Sequence, residues 1–586
     1  MRNQDLSPRK NRRERGMALM ITALALLFVI PFVGLSIDAG LAYVVRGRLS
    51  AALDAAALAA GRGVNLGTDI STAQSSAITA ATNFFNANFP PGYLGTSTSG
   101  RTINATFNMQ TDSNNNPNGV LVINVTGTVS APTYFSRLLG FNSLNISATG
   151  TATRRTLVMS LLLDISASMG TRNTSPGTIP ASITNSSSSC EAMVYSAIQF
   201  VNYFSPYDYV GMIAFDYTAH LKYAPSTNFK ASGNAGVVQQ IANLQCGNNT
   251  NTTAALELGY QQIKNIGLPL AENVIVLFTD GVPNGVTANF PVRTSVDTRL
   301  GYGNAGPAPP LPASNQNNCG YGSGSWGGSG SITTGQSLCT NMPVACTGAT
   351  PTTVYGVITQ TANFDVNSGG RGGLYKAFDT DGNPTFPTGC PTSGIPLTSQ
   401  TIAYIPDTDF FGNSTHGPWD GWLYQVNPHT APSGTPITNG NSATKNMGDS
   451  WSNYPSTGAG APSNFFTSGP YNGKFRPDLA NTIGVTSMNS AVNEANKIRS
   501  DSTYKITIDT VYLQGNGSDP VDRKFLQVVS NQDTIQPLIY DSTDSPFANP
   551  YYQSTQQKGL WLATTSAVQL NQLFAQVASS LLRISQ

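Results

Sequence analysis

The 586-residue sequence predicts an α/β fold: a central, mostly parallel sheet flanked by helices, preceded by a membrane helix and a small α+β module. Three observations carry this. Residues 157–163 (LVMSLLL) and 273–278 (NVIVLF) are short, largely apolar runs, each ending abruptly in small polar side chains. Such runs mark strands buried on both faces, as in parallel sheets. Between them AALELGYQQI sets Ala255, Leu258, Gly259 and Ile263 on one helical stripe. Near the N-terminus, residues 17–37 hold no charged side chain.

The two strand ends hold the chemistry. The first closes on Asp164, Ser166 and Ser168, three oxygen-bearing side chains at alternate positions. In open α/β sheets the loop beyond a strand's carboxyl end is where ligands bind. A carboxylate with two hydroxyls suits a hard divalent cation such as Mg²⁺, which takes oxygen ligands and keeps part of its water. The polar loop holding Thr250 precedes the striped helix, and the second strand ends in Thr279-Asp280-Gly281. Ordinary strand-to-loop turns also produce DISAS and FTDG. What sets these apart is that strand, loop and helix context agree at each of them. Asp164, Ser166, Ser168, Thr250 and Asp280 together resemble, in chain order, the metal-ion-dependent adhesion site of von Willebrand factor A (VWA) domains. That resemblance implies a Rossmann-like fold and a bound Mg²⁺, with Mn²⁺ or Ca²⁺ as substitutes. It also implies roles: Ser166, Ser168 and Thr250 offer hydroxyls, Asp164 and Asp280 hold the ion or its waters, and a partner protein's acidic side chain takes the open position. Residues 207–221 (YDYVGMIAFDYTAHL) are expected to form the antiparallel edge hairpin after the first helix.

Charge is balanced, with 31 Lys+Arg against 30 Asp+Glu, so no bulk field draws the chain to nucleic acid. Only 10% of residues are charged, well under the roughly 25% of typical soluble domains. Ser, Thr, Asn and Gly take their place, a composition common in exported envelope proteins.

In chain order, residues 1–15 form a basic tail with Arg9, Lys10, Arg12, Arg13 and Arg15. The apolar stretch 17–37 is long enough to cross a bilayer, which needs about 20 residues. The basic flank should remain in the cytoplasm, leaving the bulk of the chain outside the inner membrane. A cleaved signal peptide, with Gly40-Leu41-Ala42 as its site, is the rival reading. The apolar stretch exceeds the usual signal core of about 7–15 residues, and an apolar helix continues past it, which favours a retained anchor. Along that continuation Leu41, Val45, Leu49, Ala52, Leu53 and Ala56 keep one face apolar. Basic tail, membrane helix and Ala-rich extension resemble the N-terminal module of TadG-like proteins of Flp (tight-adherence) pilus assembly. Processed pseudopilin relatives carry a Glu five residues after their cleavage-site Gly; here Gly16 is followed at that position by Ile21.

A second helix over 70–89 leads into alternating strands at 102–110 and 120–129, a short helix over 132–141 and a further strand at 143–153. Residues 38–155 are therefore expected to form a pilin-like membrane-proximal module. The polar turn at 112–119 lacks the closing acid of a calcium loop and is expected to be a hairpin turn.

The VWA domain is expected in two parts, 156–284 and 479–586, interrupted by an insertion over 285–478 rich in Gly, Ser, Asn, Thr and Pro. Helix 486–499, strand 504–513, a helix near 523–529, the segment LWLATTS and a closing helix over 567–582 would complete the sheet. Four cysteines (Cys319, Cys339, Cys346, Cys390) and four tryptophans (Trp326, Trp419, Trp422, Trp451) argue that the insertion is partly folded. Outside the cytoplasm disulfides are expected, and the six cysteines allow 15 connectivities. We pair Cys190 with Cys246, which flank the first helix and the Thr250 loop. A zinc site is the competing use of the cysteines, but their spacings fit no standard finger.

Catalytic signatures are weak. The G-x-G-x-x-G at 301–306 runs into a Pro-rich tract where a phosphate-binding helix would be needed, and Asp379-Thr-Asp381 is expected to be a turn. No nucleophile elbow or Walker loop occurs, and His220, the base nearest Ser166, is expected on the far edge hairpin. The expectation is a non-enzyme: a single-pass envelope protein whose metal site binds a protein partner in assembly, anchoring or adhesion of a Flp-type pilus. The alternative is a structural envelope or secretion-apparatus scaffold in which the ion merely pins loops. An enzyme hidden in the insertion is a third class.

Overall fold

Local sequence explains the elements in order. The computed structural model describes residues 12–99, 101–291, 353–359, 372–375, 395–397, 403–420, 465–466, 469, 471–477, 480–513, 523–536 and 546–584. Contacts divide the chain into two units, Met1–Gln110 with Val120–Arg154, and Thr111–Gly119 with Arg155–Gln586.

In the first unit, apolar stretch and Ala-rich extension form a single helix, α1 (Arg12–Gly63), unbroken through Gly40-Leu41-Ala42. Its first part is exposed along the apolar run, whereas Val45, Leu49, Ala52, Leu53 and Ala56 are buried. Helix α2 (Ile70–Asn88) starts at a capping box, with Asp69 accepting from Thr72 N at 2.9 Å and Thr72 Oγ1 accepting from Asp69 N. Strands β1 (Thr102–Thr111), β2 (Pro117–Pro132) and β3 (Ser143–Arg155) form a three-stranded sheet in that order. The segment expected as a helix over 132–141 is helical for a single 3₁₀ turn, Ser136–Leu139. In the second unit, the turn at 112–119 is a hairpin turn in which Asp112 Oδ1 accepts from Asn114 N and Asn116 N.

The second unit is built on a six-stranded sheet. Strand β4 (Leu157–Asp164) is followed by helix α3 (Ser189–Val201), strands β5 (Tyr209–Phe215) and β6 (Ala219–Ser226), short helix α4 (Val237–Ala242), helix α5 (Thr252–Ile266) and strand β7 (Glu272–Thr279). The next sheet collects β8 (Gly285–Pro291), β9 (Thr353–Thr359), β10 (Gly372–Tyr375) and β11 (Ile395–Leu397). The chain resumes with helix α6 (Ala480–Arg499), β12 (Thr507–Leu513), helix α7 (Arg523–Val529), the ribbon β13 (Thr534–Ile535) and β14 (Phe547–Ala548), β15 (Trp561–Thr564) and helix α8 (Ala567–Ile584). Strand order in the main sheet is β15-β12-β7-β4-β5-β6. Every neighbouring pair is parallel except β5 with β6.

Alternation along β4 separates two cores. Val158 and Leu162 face α5, α6 and α7; Leu157, Met159, Leu161 and Leu163 face α3, α4 and α8. Both sheet faces are therefore covered, which is why β4 and β7 are buried throughout and largely apolar rather than alternating.

The stretch 207–221 forms the expected antiparallel hairpin at the edge of the sheet: β6 is outermost and pairs antiparallel with β5, which itself runs parallel to β4. Chain direction is set by α3, a crossover long enough to return the chain to the same end of the sheet. The 285–478 segment begins with ordered chain: β8 starts at Gly285 and pairs antiparallel with β9. Its 403–420 segment packs on α6 through fully buried Trp419, whose backbone N–H donates to Asn489 Oδ1 at 3.1 Å. Cys190 and Cys246 are joined, with Cα atoms 6.2 Å apart. The other four cysteines, Trp326, Trp422, Trp451 and the motifs at 301–306 and 379–381 lie outside the described residues.

Candidate metal centre

Register brings the site together. Leu163 pairs with Phe278 across β4 and β7, so Asp164 falls beside Thr279, with Asp280 one residue beyond. Thr279 Oγ1 donates to Asp164 Oδ2 at 2.5 Å, and Ser166 N donates to Asp164 Oδ1 at 2.8 Å. A 3₁₀ turn, Ala167–Met169, brings the chain back so that Ser168 Oγ donates to Asp280 Oδ1 at 2.7 Å. The Ser166 and Ser168 hydroxyls lie 3.0 Å apart.

Four of the five predicted residues therefore form one cluster, and Asp164, Ser166 and Asp280 are buried in it. Thr250 stands in the adjoining loop. Its N–H donates to Asn284 Oδ1 at 2.7 Å and its carbonyl accepts from Asn284 N at 2.8 Å, tying that loop to the segment after Asp280. Three further backbone bonds bind the loops to one another: Ala167 N to Asn248 O, Gly247 N to Ile165 O, and Asn251 N to Asp216 O. Asn251 also caps α5, accepting from Ala254 N.

Sequence reasoning missed Asp216, Asn284 and the bond from Thr279. Asp216 follows the last residue of β5, whose pairing with Asp164 sets it next to the cluster. Its Oδ2 accepts from Asn248 Nδ2 at 2.9 Å, and its Oδ1 is 3.0 Å from His220 Nε2. His220 lies on the edge strand, as expected, yet reaches this loop system through Asp216. The signal available in the sequence was the polar residue just past a strand end, the same signal that marked Asp164 and Asp280.

Electrostatics test the fit of a cation. Burial pushes the Asp164 carboxyl up to about 6, against hydrogen bonds from Thr279 and Ser166, and the charge of Asp216 raises it further. A fully buried carboxylate beside a second one and two hydroxyls is a hard, oxygen-only donor set. Such a set fits Mg²⁺ or Mn²⁺. Among the described residues no group of three or more His, Cys, Asp or Glu side chains offers a competing site.

A von Willebrand factor type A domain model (VWA_2) matches residues 159–282, which include all five site residues. A Flp pilus-assembly TadE/G-like model (Tad) matches residues 16–63. No curated protein matches the sequence. Among solved structures, the chain is similar to the PilB minor pilin from Streptococcus sanguinis, at 11% identity and TM-score 0.31, over 83% of this chain and 79% of that one. It is also similar to the vWF domain of the type V pili tip protein Mfa5 from Porphyromonas gingivalis, at 13% identity and TM-score 0.31, over 74% and 98%. The pilus adhesin SpaC from Lactobacillus rhamnosus GG aligns at 10% identity and TM-score 0.29, over 82% of this chain and 36% of that one. The chain carries a von Willebrand factor type A domain that contains the candidate metal centre, together with a TadE/G-like Flp pilus-assembly segment that includes its N-terminal apolar helix.

Proposed function

We propose that this is a membrane-anchored, extracytoplasmic binding protein of Flp-type pilus assembly, anchoring or adhesion, whose VWA domain engages a protein partner through a divalent cation. One observation carries the reading: the hydrogen-bonded chain Asp280–Ser168–Ser166 beside fully buried Asp164. Asp164 and Asp280 would hold the cation or its waters, while Ser166, Ser168 and Thr250 offer hydroxyl oxygens. A bound divalent cation would supply one open coordination position to an acidic side chain of the partner. Thr279, Asn284 and Asn248 keep the donors in place before any ligand arrives. The matching family models describe a VWA domain and a pilus-assembly segment, which supports pilus components as partners.

The apolar start of α1 supports a single-pass anchor. Its basic flank supports an N-terminus inside and a bulk outside the cytoplasmic membrane.

The test is a chromosomal Asp164→Ala substitution with piliation and surface adherence measured. The reading expects both to fall while the protein stays in the membrane fraction. Unchanged piliation and adherence, with only a lowered melting temperature, would assign the cation to loop stability and leave a scaffold.

A further inference from the structure

An apolar loop lies beside the membrane helix. Between β2 and β3, residues 133–142 fold over α1, and the loop with the start of β3 exposes Tyr134, Phe135, Leu138, Phe141 and Leu144. Leu138 is 84% exposed. Five large apolar side chains in one short segment form a patch that water does not favour.

The loop's seat on the helix fixes its depth. Phe135 and Leu138 line a cleft with Ile30, Pro31, Phe32 and Leu35 of α1. Contact is so close at Gly34 that a Cβ there would fall 2.5 Å from the Phe135 ring, so only glycine admits the loop. With a rise of about 1.5 Å per residue, Gly34 lies about 5 Å and Ile30 about 10 Å below the end of the apolar stretch at Ile37.

Backbone bonding suits the loop to a dry environment. Asp38 caps it, Oδ1 accepting from Tyr134 N at 2.9 Å and Oδ2 from Phe135 N at 3.1 Å, Ser136 N at 2.7 Å and Ser136 Oγ at 2.8 Å. Leu138 N, Gly140 N and Phe141 N donate to carbonyls within the loop. Pairing these groups internally removes the cost of carrying them unsatisfied to the acyl boundary, and the loop's packing on α1 shields its backbone on that side. Arg137, exposed between the apolar residues, is long enough to reach lipid phosphates.

We propose that residues 133–144 form a second membrane contact, with Tyr134, Phe135, Leu138, Phe141 and Leu144 inserted in the outer leaflet alongside the span. This rests on the reading of residues 17–37 as a membrane anchor, and the two can fail separately.

The full chain is reconstituted in phosphatidylcholine vesicles, with an environment-sensitive fluorophore attached without reductant at Leu138→Cys, Phe141→Cys or Leu27→Cys. The unsubstituted chain sets the labelling background. Lipids carrying a nitroxide high on the acyl chain are expected to quench Leu138→Cys and Phe141→Cys, and deeper nitroxides Leu27→Cys, with comparable loss of emission. Quenching at Leu27→Cys without quenching at either loop position would overturn the proposal, keep the anchor and assign the patch to a protein partner. No quenching at any of the three would remove the anchor and the proposal with it.

Discussion

Asp509 offers a test of how burial shapes the pH response of the sheet domain. It sits on β12, buried, with Oδ1 accepting from Leu560 N at 2.7 Å. Burial pushes its carboxyl up to about 7, opposed by the Leu560 hydrogen bond, and the charge of Glu272 raises it further. In the unfolded chain an aspartate releases its proton near pH 4, so between about 4 and 7 the folded state binds the extra proton. Stability then falls as pH rises through that window and levels off above it. The distance from about 4 to about 7 corresponds to about 4 kcal/mol. Asp509→Asn keeps the oxygen acceptor and removes the titration. Urea denaturation of the full chain in detergent, wild type beside variant, should give similar stabilities at pH 4 and a variant more stable by up to about 4 kcal/mol at pH 8. Glu494, pushed up to about 8 by burial and by Glu257, and Asp409, pushed up to about 6 by burial, add slopes of the same sign to both proteins. The difference between the two proteins therefore isolates Asp509. A gap that does not widen from pH 4 to pH 8, or a variant weaker at pH 8, would refute the reasoning.

Other outcomes follow from single elements. Mass spectrometry of unreduced digests should show Cys190 linked to Cys246, and Cys246→Ser should lower stability by about 4 kcal/mol on the chain-entropy model for a separation of 56 residues. Free thiols at both positions would contradict the pairing. Trp419→Ala should destabilise the sheet domain by about 3–5 kcal/mol and expose the 403–420 segment to protease; an unchanged melt would mean that this part of the insertion is not integral to the core. A reporter fused after Gln586 should be active only if it works outside the cytoplasm, and activity of a cytoplasmic reporter would reverse the orientation.

Much of the fold was legible because its signals are local. The strands β4 and β7 announce themselves by being apolar on both faces, and the striped helix after Thr250 by its spacing. Asp164, Ser166, Ser168 and Asp280 were legible as small polar residues ending such strands. What escaped depends on pairing across long separations. That β5 runs parallel to β4 is decided by the route through α3, and nothing within 207–221 records it. Asp216 enters the site only through that pairing, and Asn284 only because β8 leads directly out of the Asp280 loop. In the sequence Asp38 is only the first charged residue after the apolar stretch 17–37; its task of capping three N–H groups at 134–136 lies nearly 100 residues away.

The measurement that bears most directly on the account is calorimetric titration of Mg²⁺ into the full chain in detergent, wild type beside Asp164→Ala. The substitution removes a carboxylate at a strand end and leaves the apolar faces of β4 intact, so the sheet should stay folded, with its circular dichroism unchanged. The account predicts saturable binding by the wild type at or below millimolar metal and none by Asp164→Ala. Identical titrations of the two proteins, or no binding by either at millimolar Mg²⁺ or Mn²⁺, would contradict it.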